Sequence, residues 1–228
     1  MTRVITVGRD VSAPEKTNAN QFRRAMSDRG TLVVNILSSP GAGKTSLLCA
    51  TAAYWCAQRR MAVLVGDIAT DRDAQRLAPL VPVVQLTTGG ACHLELSLVE
   101  RGLYALPDCE WDFLFIENVG NLVCPSSHDL GEHLRVALLS TTEGDDKPAK
   151  YPKAFRTSQA MVISKTDLLP YVPFSIQAAT RDARNIQPQL AVLSVSTLPV
   201  TGIDQWCDFL DQQRQRLVGR HVQTSPAT

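Results

Sequence analysis

One stretch constrains this chain more than any other. An apolar run at residues 31–37 passes without a break into Ser38-Ser39-Pro40-Gly41-Ala42-Gly43-Lys44-Thr45, and a helical pattern starts at Thr45. The spacing Gly-x4-Gly-Lys-Ser/Thr between a strand and a helix is the phosphate-binding loop; Ser38 stands where the first Gly is usual, while Gly43, Lys44 and Thr45 fit. Small residues let successive backbone N–H groups curl around a phosphate, and the N-terminus of the following helix favours negative charge. Pro40, Gly41, Ala42, Gly43 and Ser46 are therefore expected to line a nucleotide, Lys44 to reach its β- and γ-phosphates, and the Thr45 hydroxyl to hold Mg²⁺.

A strand feeding such a loop implies an α/β protein, and the remaining pattern agrees. Besides 31–37, short continuous apolar runs occupy 61–66, 81–86, 111–116, 136–140, 160–164 and 190–195. Runs of this length, rich in Val, Ile and Leu, predict strands buried on both faces of a parallel sheet. Amphipathic stretches at 45–58, 93–105, 174–186 and 203–217 lie between or after them. The expected fold class is α/β: a doubly wound, mostly parallel sheet of about seven strands with helices on both faces. The expected organisation is a polar N-terminal segment at 1–30 with a short helix around 20–29, a nucleotide-binding domain at 31–217 and a flexible tail at 218–228.

The chain has 228 residues and a formal net charge of +1, which argues against nucleic acid as the main partner. No apolar run has the roughly 18–20 residues of a membrane span. MTRVITVGRD lacks the apolar centre of a signal peptide, so a cytoplasmic protein with unpaired thiols is expected.

Two further strands end in acid. The run 61–66 leads into Asp67, with Asp71 beyond it, and 111–116 leads into Glu117-Asn118-Val119-Gly120. Carboxylates at the C-terminal edge of a parallel sheet point into the ligand crevice, so Asp67 and Glu117 are candidates for the Mg²⁺ site. Together with Lys44 they make the expected catalytic set. Gly120 is placed to sense a γ-phosphate through its amide. After 160–164 comes Ser164-Lys165-Thr166-Asp167, which resembles the Asn-Lys-x-Asp guanine-reading loop of GTPases with Ser for Asn. Asp167 would accept from guanine N1 and N2, and Lys165 would lay its aliphatic stem across the base. Ser196 falls where a second base-contacting loop is expected. These features predict GTP and GDP as ligands, with no evident residue to position the attacking water.

Six cysteines are scattered without a Cys-x-x-Cys pair. Cys92-His93 follows Thr88-Gly89-Gly90-Ala91 at the expected start of a helix, where a thiol pKa is lowered. Cys124 lies seven residues past Glu117. His93 with two thiolates would suit Zn²⁺ or Ni²⁺. Spacing alone makes this a weak signal, since there is no Cys-x-x-Cys pair and an isolated cysteine is usually a small buried hydrophobe. His128 is a possible accessory ligand. Cys49 and Cys56 are expected to face the sheet, and Cys109 and Cys207 to be packing residues.

Read together, SSPGAGKTSLL, GDIATDRDA, TTGGACHLEL, FIENVGNLVCP, DLGEH, TEGDDKPAKYP, SKTDLLPY and a late Asp204-x-Trp206 pair resemble the HypB family of nickel-incorporation GTPases. The resemblance implies slow GTP hydrolysis and nucleotide-dependent homodimers. It also implies a nickel or zinc site at the dimer interface, which maps onto Cys92, His93 and Cys124. The implied partners are a HypA-like nickel/zinc accessory protein and the hydrogenase large-subunit precursor. The 1–30 segment contains neither Cys nor His, so the N-terminal nickel motif or His-rich tract of some relatives has no counterpart there. The alternatives are a urease-accessory or cobalamin-enzyme GTPase chaperone, or a nucleotide-dependent dimerisation module with structural cysteines.

Overall fold

The computed structural model describes residues 13–68 and 70–224. Seven parallel strands form the central sheet: β1 (Leu32–Ser38), β2 (Met61–Asp67), β3 (Val83–Thr87), β4 (Phe113–Glu117), β5 (Leu134–Ser140), β6 (Ala160–Ser164) and β7 (Ala191–Ser194). Their spatial order is β3-β2-β4-β1-β5-β6-β7. The chain builds one half of the sheet on one side of β1, then the other half on the opposite side. The C-terminal end of β1 therefore opens at a point where strand order reverses, the usual crevice for a ligand in a doubly wound sheet.

The strands are mostly apolar because both faces are covered, with a few buried polar residues such as Asn35, Glu117 and Arg135. Leu32, Val34 and Ile36 of β1 pack with α2 (Lys44–Trp55) and with α8 (Ile203–Thr224), through residues such as Leu47, Leu48 and Trp206. Val33, on the opposite face, belongs to the cluster that holds Phe22 and Met26 of α1 (Ala13–Asp28) and Val99 of α4 (Leu96–Ala105). The far half of the sheet is covered by α6 (Pro152–Arg156) and α7 (Ile176–Ile186). Two short helices, α3 (Arg72–Leu77) and α5 (Lys147–Lys150), two 3-10 turns at Pro125–Ser127 and Thr166–Tyr171, and a hairpin of β8 (Ser196–Thr197) and β9 (Val200–Thr201) complete the elements of the described residues. Full burial of a large apolar side chain is worth about 1.5–3 kcal/mol, so these two faces dominate stability.

All seven expected strands form, with ends shifted by at most two residues. Four differences follow from packing. The first helix spans 16 residues, not a short stretch around 20–29, and its Phe22 and Met26 are part of the core, so it is not a separate segment. The last helix continues through Thr224, past the expected boundary at 217. Residues 1–12 and 225–228 of the expected terminal segments lie outside the described residues. The fourth helix begins at Leu96, so Cys92 and His93 sit in the loop before it and not at a helix N-terminus. Finally, Cys56 caps the end of α2 in the left-handed region at φ 42° and is exposed, as is Cys109, so neither packs against the sheet; Cys49 is half-buried and Cys207 buried.

Candidate functional site

The phosphate loop hangs between β1 and α2. Gly41 and Gly43 have φ of 74° and 100°, a left-handed backbone that a side chain would strain, which explains glycine at both positions. Lys44 is buried, and its Nζ donates to Ser38 Oγ at 3.0 Å. Desolvation holds its pKa below the usual lysine value, opposed chiefly by the charge of Glu117. Ser38 thus turns its hydroxyl to the lysine.

Strand register brings the acid to this loop. Ile36 of β1 pairs with Glu117 of β4. The Thr45 hydroxyl donates to Glu117 Oε1 at 2.8 Å, while Glu117 Oε2 is buried without a hydrogen-bond partner. A hydroxyl beside a buried carboxylate with one uncommitted oxygen is a hard, all-oxygen donor set, and it fits Mg²⁺. Asp67, at the end of β2, accepts from the Thr70 amide at 3.1 Å and lies close enough to act on Lys44 electrostatically. Gly120 is pressed against the loop: a Cβ there would lie 3.1 Å from the Pro40 Cα, so any side chain would push the segment after Glu117 a few tenths of an ångström away from Pro40.

Burial pushes the Glu117 pKa up to about 7, against the opposing effects of Lys44 and of the Thr45 hydrogen bond. The folded protein therefore keeps a proton that the unfolded chain releases near 4.5. The stabilising contribution is complete below pH 4.5 and is lost as pH rises through about 7. In metal- and nucleotide-free protein, wild type is expected to lose roughly 3 kcal/mol over that window relative to Glu117→Gln. Chemical unfolding at pH 5 and pH 8 tests this, and parallel pH profiles for the two proteins would refute it.

The base-reading candidates lie at the ends of β6 and β7. Ser164 Oγ donates to the Ala42 carbonyl at 2.7 Å, so the serine in place of asparagine still ties this loop to the phosphate loop. Lys165, left-handed at φ 58°, donates from Nζ to the Gly41 carbonyl at 2.8 Å. Ser196 Oγ donates to Asp167 Oδ1 at 2.5 Å and so fixes the carboxylate. Sequence reading missed Lys147, whose Nζ lies 3.4 Å from Ser39 Oγ and 3.3 Å from Glu143 Oε2. Its signal was the charged run TEGDDKP immediately after a strand.

The metal candidates meet in part. The Cys92 thiol is hydrogen-bonded to Cys124, which together with desolvation raises its pKa, the reverse of the helix-terminus expectation. Cys92 Sγ lies 4.0 Å from His93 Nδ1, and the His93 ring stacks on that of His128 with centroids 3.8 Å apart. Among the described residues no three His, Cys, Asp or Glu side chains converge as a ready cage for an ion.

A parallel sheet with a phosphate loop at its switch point and a buried carboxylate on the loop threonine define a P-loop nucleotide-binding protein. Residues 32–194 match the CobW/HypB/UreG nucleotide-binding domain family. The hydrogenase maturation factor HypB of Azotobacter vinelandii is 42% identical over 93% of this chain and 71% of its own length. The crystal structure of HypB from Helicobacter pylori in complex with nickel is similar at a TM-score of 0.85 and 35% identity, over 95% of this chain and all (100%) of that one. The hydrogenase maturation factor HypB from Archaeoglobus fulgidus gives 0.82 and 33%, over 89% and 99%. The chain belongs to the HypB family of hydrogenase maturation factors, within the SIMIBI class of P-loop GTPases. No helix among the described residues is long and apolar enough to cross a membrane.

Proposed function

We propose that this chain is a GTP-hydrolysing metallochaperone that delivers nickel to the hydrogenase large-subunit precursor. The carrying observation is that Cys124, whose thiol interacts with that of Cys92, hangs from the same segment as Glu117, the acid that engages the phosphate-loop threonine. A change at one end of that segment is felt at the other, which is what couples two ligands.

In this reading Lys44 and the amides of Gly41, Ala42, Gly43 and Ser46 hold the phosphates. Asp167, steadied by Ser196, reads guanine, and Lys165 covers the base. Thr45 and Glu117, with Asp67 nearby, hold Mg²⁺; the ion when bound neutralises charge on the β- and γ-phosphate oxygens. Gly120 follows the γ-phosphate, pulling the segment that bears Cys124. Cys92, His93 and Cys124 take nickel, or zinc in its place, as cargo; three ligands leave a tetrahedral shell open for the second subunit of a homodimer to complete. A HypA-like accessory protein and the hydrogenase precursor are the proposed onward partners, in the cytoplasm.

The test is to titrate nickel and zinc into protein loaded with GDP or with a non-hydrolysable GTP analogue, while measuring mass in solution. Roughly stoichiometric binding whose affinity and dimer fraction differ between the two states is expected. Identical curves and masses would overturn the coupled-carrier reading.

A further inference from the structure

The DLGEH segment has no part in the chemistry above, yet its Glu132 forms, with Arg135 of β5, the most buried ion pair of the described residues. The side chains of Glu132 and Arg135 are only 5% and 9% exposed. Arg135 Nε donates to Glu132 Oε1 at 2.6 Å. Such a pair contributes little net stability, because desolvation of both charges offsets their attraction. What it does here is hold backbone. Arg135 donates from Nη1 to the Ser126 carbonyl at 3.2 Å and from Nη2 to the His128 carbonyl at 2.7 Å. Glu132 Oε2 accepts from the Leu130 amide at 2.8 Å. The whole turn after Cys124 is thereby fastened to one guanidinium and one carboxylate.

The same carboxylate is tied to the other ligand site. Asn35, wholly buried on β1 three residues before Ser38, donates from Nδ2 to Glu132 Oε1 at 3.2 Å. Its Oδ1 accepts from Asn118 Nδ2 at 3.2 Å. Asn118 follows Glu117 directly. An unbroken buried chain of hydrogen bonds therefore runs from the residue after the Thr45-bound acid to the carbonyl of His128, whose ring stacks on His93. Buried amides and charges have few alternative partners, so a shift of Asn118 must be accommodated by Asn35 and Glu132 or leave a polar group unpaired.

We propose that Asn35, Glu132 and Arg135 are positioning residues that transmit the state of the 117–120 segment to the 124–130 loop and thereby set how strongly nickel affinity depends on the bound nucleotide. This rests on the nickel-carrier reading above. The readout is the ratio of nickel dissociation constants with GDP and with a non-hydrolysable GTP analogue, measured by titration of NiCl₂ into the full chain. Arg135→Lys keeps the charge but cannot span two carbonyls; Asn35→Ala cuts the chain at its centre. Each is expected to bring the ratio at least about threefold closer to one while nickel still binds. Arg59→Ala, which removes an ion pair with Asp211 elsewhere, should leave the ratio at its wild-type value. Weaker nickel binding by the same factor in both nucleotide states, or an unchanged ratio, would show a purely structural pair and overturn the proposal. If Asn35→Ala does not fold, Arg135→Lys decides alone. A wild-type ratio of one would instead defeat the carrier reading, and the relay with it; a wild-type ratio away from one that both variants keep defeats only the relay.

Discussion

Lys44→Ala is expected to lower GTP turnover by at least about 10²–10³-fold while leaving the fold in place. A fixed cation aimed at charge that develops on the phosphates is worth that much when water is excluded from its surroundings. Lys44 meets the condition: it is buried, and it faces Glu117 across the loop. Its one protein hydrogen bond, to Ser38 Oγ, is replaceable by water, so little structure depends on it. The alanine variant also leaves Glu117 without its nearest cation, so its carboxyl should bind a proton more readily and Mg²⁺ less well. Steady-state phosphate release together with a thermal unfolding scan checks this. Turnover within a few-fold of wild type would defeat the assignment of the phosphate loop.

Cys92→Ala and Cys124→Ala should each weaken nickel binding by more than about 100-fold, since loss of supporting residues alone costs 10–100-fold at metal sites. The Cys124 thiol lies close enough to raise the pKa of Cys92, so one ion could reach both, and each must lose its proton to bind. Release of protons on nickel addition is therefore expected as well, and affinity should fall as the solution is acidified. Cys56→Ala and Cys109→Ala serve as controls, because both residues are exposed and neither lies on the candidate loops. Wild-type nickel affinity in the Cys92 and Cys124 variants would remove these residues from the site. Equal losses in the controls would point instead to nonspecific thiol binding.

The pattern of apolar runs was enough to locate every strand of the sheet, because strands covered on both faces carry few polar positions to blur the signal. Helices were less legible. α3, α5 and α6 have six, four and five residues, too few for a 3.6-residue period to register. α1 is mostly polar because only one stripe of it, including Ala19, Phe22 and Met26, meets the sheet. The start of α4 was misplaced because His93 to Ala105 keeps a helical rhythm, although the chain takes up helix only from Leu96. That error reversed the expected direction of the Cys92 pKa, whose cause is a neighbouring thiol and not a helix dipole.

The phosphate loop, the acid at each strand end and the Lys-x-Asp pair were readable from sequence because each is a local pattern. The backbone that gives it meaning is set by its own few residues. Partnerships across the sheet were not readable. Thr45 and Glu117 are 72 positions apart, Asn118 and Asn35 are 83, and Asn35 and Glu132 are 97. Only the strand order, with β4 and β5 flanking β1, brings these side chains together, and no periodicity along a chain encodes which strands become neighbours. What the fold decided is thus the pairing of the thiols and the buried connection between the two ends of the 117–130 segment. The buried connection depends on hydrogen bonds that form only when water has been driven from between strands distant in sequence, whereas the thiols meet because two loops, after β3 and after β4, converge.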